Sequence, residues 1–589
     1  MLPLARIPTS ITGQTWCWRN GFEGATDSDA SIDDLVAQLM IARGCPRDEV
    51  ETYRSPTLRH FMPDPSIFQD MDRAASRLAD AVEAHEAVTI YGDYDVDGAT
   101  SAALLIRLLR DLGLKAGYYI PDRLMEGYGP SGAALVKLAE EGSSLIVTVD
   151  CGAQAFEALE MAKAAGVDVL VVDHHKCASA LPLAYALVNP NRLDESDTAA
   201  AHGHLAAVGV AFLLGTALVR ELRGRGYFAT RTEPALLELL DLVALGTVAD
   251  VAQLKGLNRA FVAQGLKVMA RQRNIGLAIL AEVSRLKRAP LCHDLGFALG
   301  PRINAGGRVG KSDLGVRLLT TQDEEEARMI AGELDRFNEE RRAIEAIVQE
   351  QAEEIAAHQA NRALLLVARD GWHPGVIGIV AGRLKEKFSR PAIVIATDDA
   401  GVGKGSGRSI SGVDLGAAVL AAKDNGLLVA GGGHAMAAGL TVDAAKIREL
   451  HDFLEDRLAA NITSAMMERM LPIDSLVSPR GVKPALITAM DAAGPFGVGW
   501  PAPRIATGPL RILKADRVGS GGHVRLLLSG QDGASLKAVA FRQGDTLLGQ
   551  ALLGGGKDRT LWLAGRTKID EWGGGRSAEL HIEDAAWAD

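Results

Sequence analysis

The chain has 589 residues, 48% of them hydrophobic and 23% charged, a globular composition that excludes wholesale disorder and collagen-like repeats. At roughly 100–200 residues per domain, three or four domains are expected. The net charge of -11 argues against a cationic coat for nucleic acid, and five scattered cysteines without a CxxC argue against a disulfide framework or a structural zinc knuckle.

A local basic groove or a carboxylate-rich metal site stays open on charge grounds. No run of eighteen apolar residues occurs and Met1–Gly13 lacks a signal-peptide core. The expectation is a cytoplasmic protein without a membrane partner.

Residues 1–74 read as a small helical region without visible chemistry, with helical periodicity over Ser31–Ala42. From residue 75 strands and helices alternate. Val88–Tyr91, Gly117–Ile120, Leu145–Val149 and Val167–Val172 are short apolar strands, and Ala99–Leu112, Gly132–Glu141 and Ala153–Ala165 are helices. That pattern predicts a parallel sheet covered on both faces. Helices at Leu205–Arg223 and Pro234–Leu245 follow, then a connecting region over 256–361. Its charged stretch from Asp323 to about Asn361 predicts a long, solvated spacer helix. A second α/β unit is expected over 362–462. Gly-punctuated short strands over 463–589 predict a β-barrel or sandwich.

Four segments carry acids where strands end or loops begin: Gly92-Asp93-Tyr94-Asp95-Val96-Asp97-Gly98, Val149-Asp150-Cys151, Val172-Asp173-His174-His175 and Gly246-Thr247-Val248-Ala249-Asp250. In extended chain Asp93, Asp95 and Asp97 would face one side and crowd like charges, which cations would neutralise. Three of the segments should converge in the crevice at the carboxyl ends of the strands. A mixed Asp/His set suits a dication such as Mn²⁺ better than Ca²⁺, and a pair of ions roughly 3.5–4 Å apart can drive phosphoryl displacement. Asp97 alone can also be read as a helix cap, and Asp173 as an acid that orients a histidine.

In order and spacing these four segments resemble the motifs of the DHH phosphoesterases. Gly405-Ser406-Gly407-Arg408, Gly431-Gly432-Gly433-His434 and Ala437-Ala438-Gly439 are similar to the second domain of that family, and Gly300-Pro301-Arg302-Ile303-Asn304-Ala305-Gly306-Gly307-Arg308 to its longer bacterial members. The resemblance covers about residues 75–589. It implies a DHH catalytic domain (75–255), a connecting region with a long helix (256–361), a DHHA1-type substrate-binding domain (362–462) and a C-terminal OB-fold barrel (463–589). Gly494-Pro495-Phe496-Gly497-Val498-Gly499-Trp500-Pro501 departs from the family in having Trp500 where Asn is usual.

The resemblance further implies a single-stranded-DNA-specific 5′→3′ exonuclease. Such an enzyme uses two Mn²⁺ or Mg²⁺ ions, releases 5′-mononucleotides, and works in DNA repair and recombination. Asp95, Asp97, Asp150, His174 and Asp250 would be metal ligands, with Asp150 bridging the ions. Asp93 would be a ligand or a supporting acid, and His175 would face the scissile phosphate.

Arg123, Ser406 and Arg408 would grip a 5′-terminal phosphate, with His434 near the scissile group. The glycines around Arg408 and His434 suggest turns whose N–H groups approach an anion, while Arg123 can also be read as a surface ion pair. Asn304 and Arg308 would line a groove between the two α/β domains or hold their own loop in shape.

Arg504, Arg511, Lys514, Arg517, Arg525, Lys537, Arg542, Arg566 and Lys568, with Phe541, Trp562 and Trp572, suit a single-strand platform or a solvated face around an aromatic core. Phe541 and Trp562 are expected in that core. A helicase and a single-strand-binding protein are partners the resemblance implies. Two rival readings are a hydrolase of small substrates such as nanoRNA, cyclic dinucleotides or polyphosphate, and a binder with a decayed site.

Overall fold

The computed structural model describes residues 10–21, 31–122, 126–127, 129–467, 469–519, 521–555, 559–570 and 576–588. The chain divides into two compact units. One holds residues 45–338 and 490–502, the other residues 1–44, 339–489 and 503–589.

The first unit is built on a five-stranded parallel sheet of β1 (Val88–Gly92), β2 (Gly117–Tyr119), β3 (Leu145–Val149), β4 (Asp168–Val172) and β5 (Ala186–Val188), in the order β2-β1-β3-β4-β5. Every residue of β1 and β3 is buried, as strands covered on both faces require. Val88, Ile90, Val147 and Leu170 face helices α1 (Met71–Ala84), α2 (Val96–Asp111) and α5 (Ala207–Gly224). Tyr91, Ile146, Val169 and Val171 face α3 (Gly132–Glu140) and α4 (Phe156–Ala164). The chain leaves β1 towards β2 and returns across it to β3, so the topological switch point lies between β1 and β3. A crevice at the carboxyl ends belongs there. The three-residue strand β5 adds an edge that the sequence reading did not include.

Helix α6 (Leu240–Ala249) begins later than the sequence suggests, because residues 236–239 form a 3₁₀ turn. Residues 300–309 form helix α7 rather than a loop, after a π-helical turn over Leu295–Leu299. Trp500 belongs to this first unit, not to the β domain. Its buried ring lies 4.5 Å beneath the guanidinium of Arg259, which donates to the carbonyls of Tyr53, Ala493, Gly494 and Pro495 at 2.7–3.0 Å.

The long helix α8 (Glu324–Ala357) is not solvated all round. Ala327, Ile330, Ala331 and Leu334 lie in the core of the first unit, and Val348, Ala352 and Ala356 in that of the second. The density of charges hides this narrow apolar stripe at helical spacing.

In the second unit, β6 (Leu365–Asp370), β7 (Ala392–Thr397), β8 (Val402–Arg408), β9 (Ala430–His434) and β10 (Ala437–Asp443) form a mixed sheet in the order β9-β10-β8-β7-β6. Helices α9 (Ile377–Phe388) and α10 (Leu415–Asp424) pack on its two faces. The C-terminal strands β11 (Ser475–Leu476), β12 (Ile505–Val518), β13 (His523–Gly530), β14 (Ser535–Ala540), β15 (Thr560–Asp570) and β16 (Ser577–Trp587) make a barrel. It closes because the long β12 pairs with both β13 and β15. Closure removes the exposed sheet edges.

The N-terminal region divides between the units. Its strand Thr15–Trp18 pairs in parallel with Met470–Ile473, and Trp16 donates to the buried Asp584 of the barrel at 2.9 Å. Among the described residues no helix is long and apolar enough to cross a membrane.

Asp474 joins three parts of the second unit. Its carboxylate contacts Arg19 (2.5 Å) and the buried Arg43 (2.9 Å), and accepts from the Arg504 N–H (2.7 Å). Removing one member of a buried ion pair leaves an uncompensated charge, at a cost of about 3–5 kcal/mol. Asp474→Ala is therefore expected to shift the first urea unfolding transition by about that amount. A shift below about 1 kcal/mol would show that this carboxylate does not hold the N-terminal strand.

Candidate metal centre

The first acidic segment does not run on as a strand. β1 ends at Gly92 and α2 starts at Val96, so the expected alternation of Asp93, Asp95 and Asp97 along one extended face is absent. A tight strand-to-helix turn gathers them instead. Gly98 permits it, since a Cβ there would overlap the backbone of Asp93. Asp95, not Asp97, caps the helix: its Oδ1 accepts from the N–H groups of Asp97 (2.8 Å) and Gly98 (3.2 Å). Asp97 is buried in the first turn of α2 and accepts from the first N–H groups of a second helix, α5, at Ala207 (2.7 Å) and Val208 (3.0 Å). Two helix N-termini thus direct their positive ends at adjacent carboxylates.

Asp150 follows β3 at a φ of 61°, a left-handed conformation that turns the chain sharply at the sheet edge. Asp250 caps the C-terminus of α6, and Val251 after it has a φ of 62°, strained for a β-branched residue. The structure brings seven of the expected residues into three overlapping groups. These are Asp93, Asp95 and Asp150; Asp97, His174 and Asp250; and Asp150, His174 and His175, with one ligand atom per residue within 4.8 Å of the others in each group. Asp150 and His174 are each shared by two groups.

Two environments separate the histidines. His174 Nδ1 lies 3.0 Å from the Leu205 carbonyl, which can only accept, so Nδ1 carries the proton. Burial, then the neighbouring His175, lowers its pKa to about 4. The Nε2 lone pair therefore points at carboxylates, 3.2 Å from Asp150 Oδ1 and 3.9 Å from Asp97 Oδ2, with no hydrogen-bond partner. A buried lone pair facing ionised carboxylates is repulsive unless a proton or a metal cation lies among them. This donor set fits a dication of the Mn²⁺ or Mg²⁺ type, with imidazole favouring the transition metal.

His175 differs. Burial works against its charge, but the hydrogen bond to Asp173 (2.7 Å) and the charge of that carboxylate raise its pKa to about 9. Burial would raise the Asp173 carboxyl, yet His175 holds it down at about 2. Asp173 also accepts the backbone N–H groups of His174 and His175 at 2.7 and 3.1 Å. It therefore orients the loop and stands in none of the three groups.

Asn304 and Arg308 lie on α7, and Asn304 Oδ1 accepts from the N–H of Val96 at 3.2 Å, beside the acidic turn. Sequence reasoning missed Leu205, Ala207 and Val208, whose contributions are backbone groups. It also passed over Asn189 and Asn191, which follow β5 at the same sheet edge; polar residues after a sheet strand were the available signal.

In the second unit Ser406 and Arg408 lie within strand β8, not in a turn. Their N–H groups belong to a sheet ladder, so the expected backbone anion cradle is absent there. The flanking glycines serve packing: a Cβ on Gly403, Gly405 or Gly407 would meet Ile395, Leu440 or Leu415 at 2.6–2.8 Å. Arg408 Nη1 lies 3.2 Å from Ser406 Oγ, both near Gly378 in the first turn of α9. A guanidinium beside a helix N-terminus favours an anion between them. His434 ends β9 at the exposed hairpin with β10. Arg123 lies outside the described residues, as does Trp572.

On the barrel Phe541 is 49% exposed rather than core, with its ring against those of His523 and His581 at 5.3 and 4.9 Å. It lies past the end of β14, where strand alternation no longer governs. Trp562 is partly buried against the apolar cluster that includes Trp16, Leu471 and Ala586. Arg504, Lys514, Arg517, Lys537 and Arg566 each contact an acidic side chain at 2.5–3.4 Å, which tempers the basic face.

Burial and mutual repulsion raise the carboxyl of Asp97 to about 7, that of Asp250 to about 9, and that of Asp150 well above its ordinary range. The folded protein then holds protons that the unfolded chain releases above about pH 4, so this cluster destabilises the fold as pH rises through that window. A dication reverses the effect and displaces the protons. Mn²⁺ is expected to raise the melting temperature of chelator-treated protein more at pH 8 than at pH 5.5. Equal shifts at both pH values in a thermal melt would contradict this electrostatic account.

Three family models match the chain: the DHH family, N-terminal domain, at residues 87–247; the DHHA1 domain at 360–460; and the RecJ OB domain at 473–584. The single-stranded-DNA-specific exonuclease RecJ of Dickeya dadantii is 38% identical over 571 residues, covering 95% of this chain and 97% of that protein. The protein of the same name from Escherichia coli is 35% identical, covering 96% and 98%. A crystal structure of RecJ from Thermus thermophilus in complex with Mn²⁺ superposes with a TM-score of 0.77 at 29% identity, over 93% of this chain and 75% of that one. Its Mg²⁺ complex gives 0.71. With its DHH, DHHA1 and OB segments in that order and its identity sustained over nearly the whole length of these relatives, the chain belongs to the RecJ family.

Proposed function

We propose that this protein is a metal-dependent exonuclease specific for single-stranded DNA, degrading it from the 5′ end and releasing 5′-mononucleotides. The observation that carries the reading is the buried Nε2 lone pair of His174 facing the carboxylates of Asp97 and Asp150, with Asp250 in the same group of potential ligands. Two divalent cations, Mn²⁺ or Mg²⁺, supply Lewis-acid polarisation of the phosphate and acidification of water when bound.

Asp95, Asp97, Asp150, His174 and Asp250 would hold the ions, with Asp150 common to two of the ligand groups, and Asp93 would serve as a ligand or supporting acid. His175, hydrogen-bonded to Asp173 and 39% exposed at its side chain, faces the scissile phosphate and stabilises developing charge. Asn304 keeps the acidic turn in place through the Val96 N–H, and Arg308 on the same helix contributes positive charge to the phosphates. On the second unit Ser406 and Arg408 hold a 5′-terminal phosphate beside the first turn of α9, and Arg123 and His434 are further phosphate contacts in this reading. The barrel binds the following nucleotides, with Phe541 as a stacking surface. A cytoplasmic role in DNA repair and recombination, alongside a helicase and a single-strand-binding protein, fits this activity.

The deciding experiment digests end-labelled single strand, blunt duplex and dinucleotide with Mn²⁺, Mg²⁺ or EDTA. The long single strand alone is expected to release 5′ mononucleotides, and EDTA to abolish it. Asp150→Ala should lower the rate by at least about 10³-fold, in line with losing a charge-stabilising group at a reacting centre. Cleavage of the dinucleotide only would reassign the chain to small substrates.

Arg408→Ala should erase the preference for a 5′-phosphorylated over a 5′-hydroxyl end. Competition between the two ends measures it, and an unchanged ratio would remove Arg408 from this role.

A further inference from the structure

Backbone carbonyls at the His174-His175 loop need donors as much as its N–H groups need acceptors. Asp173 satisfies the N–H groups. The carbonyls are taken by two side chains of Asn189-Pro190-Asn191, the segment after β5. Asn189 is fully buried, and its Nδ2 donates to the His175 carbonyl (2.8 Å) and lies 3.3 Å from Cys177 Sγ. Its Oδ1 accepts from the N–H of Asn191 at 2.8 Å, which locks the pair together. Asn191 Nδ2 donates to the His174 carbonyl (2.6 Å) and to the Gly203 carbonyl (3.0 Å).

The second bond of Asn191 reaches beyond the histidine loop. Gly203 opens the segment whose Leu205 carbonyl fixes the proton of His174 on Nδ1, and whose Ala207 and Val208 N–H groups hold Asp97. There is no slack at this junction, since a Cβ on Gly203 would crowd the Asn191 amide. Asn191 therefore acts on His174 twice, through its backbone and through the loop that sets its tautomer. Asn189 acts on His175.

We infer that Asn189 and Asn191 are positioning residues that divide the work of the two histidines: Asn191 aims the His174 nitrogen at the metal ions, and Asn189 aims His175 at the phosphate. This rests on the roles proposed above for His174 and His175. Loss of a group that orients a metal-binding histidine typically weakens metal affinity 10–100-fold.

The test titrates the chelator-treated full-length protein with Mn²⁺, following free Mn²⁺ by electron paramagnetic resonance, and measures kcat and KM at saturating Mn²⁺. Asn191→Ala should weaken Mn²⁺ binding 10–100-fold. Asn189→Ala should leave Mn²⁺ binding within about 3-fold and lower kcat at least about 10-fold, with KM little changed. Thermal melts of the metal-free proteins report whether each variant folds. If Asn191→Ala does not, Asn191→Asp, which keeps the size and removes the donor, decides in the same titration.

His174→Ala serves as the reference. If it weakens Mn²⁺ binding while the Asn191 variant does not, the clamp is overturned and the metal site stands. If His174→Ala also leaves Mn²⁺ binding unchanged, the reading of the site itself fails. Equal effects of both asparagine variants on Mn²⁺ binding would overturn the division of labour.

Discussion

Repulsion among carboxylates at one edge of a parallel sheet is the constraint around which the first unit is organised. Asp93, Asp95, Asp97, Asp150 and Asp250 converge at this edge, and burial with mutual repulsion favours the protonated forms of Asp97, Asp150 and Asp250. The fold holds them together by directing fixed dipoles at them. The first turn of α2 is aimed at Asp95 and that of α5 at Asp97, so neither carboxylate can swing away to relieve the repulsion. The switch point between β1 and β3 is where the topology leaves a crevice for such a cluster. Folding there stores an electrostatic cost that cation binding would relieve, which distinguishes this candidate metal centre from a surface patch of acids.

The paired histidines show how neighbours of identical chemistry acquire opposite roles. One is buried with its proton given to a carbonyl, and is neutral with a lone pair to offer. The other carries a carboxylate on its ring and is cationic. Environments that push two pKa values apart separate the groups that bind from the groups that donate. The difference is set by Leu205 and Asp173, residues that touch neither ion nor substrate in the reading proposed here. Asp173, which the sequence allowed to be read as an acid that orients a histidine, is the residue that raises the pKa of His175.

Outside the centre the same economy of polar contacts joins distant segments. Arg259 is fully buried, yet its guanidinium meets four carbonyls and the face of Trp500, so the tract 490–502 is held in the first unit. Asp474 gathers Arg19, Arg43 and the Arg504 N–H, so the N-terminal strand belongs with the residues that precede the barrel. The strand Thr15–Trp18 showed no chemistry in the sequence because its contribution is a partner for chain far away, at Met470–Ile473 and Asp584.

The sequence by itself determined the alternation of apolar strands and helices, the all-β character of the C-terminal part, and the acids and histidines of the centre, because these follow from period-two and period-3.6 patterns and from motifs at strand ends. Motifs name residues, but they do not say which backbone groups will meet them. The capping of α2 by Asp95, the bonds from α5 to Asp97, the tautomer of His174 and the asparagine contacts to the histidine loop all depend on chain brought in from elsewhere. Only the tertiary structure decided them. It likewise placed Ser406 and Arg408 in a strand and Phe541 on the surface. Glycine-rich sequence is compatible with both turn and close-packed strand, and an aromatic residue just past a strand end has no alternation to fix its side. Local pattern reports what a segment can bury, and the partners that arrive in three dimensions determine what its polar groups do.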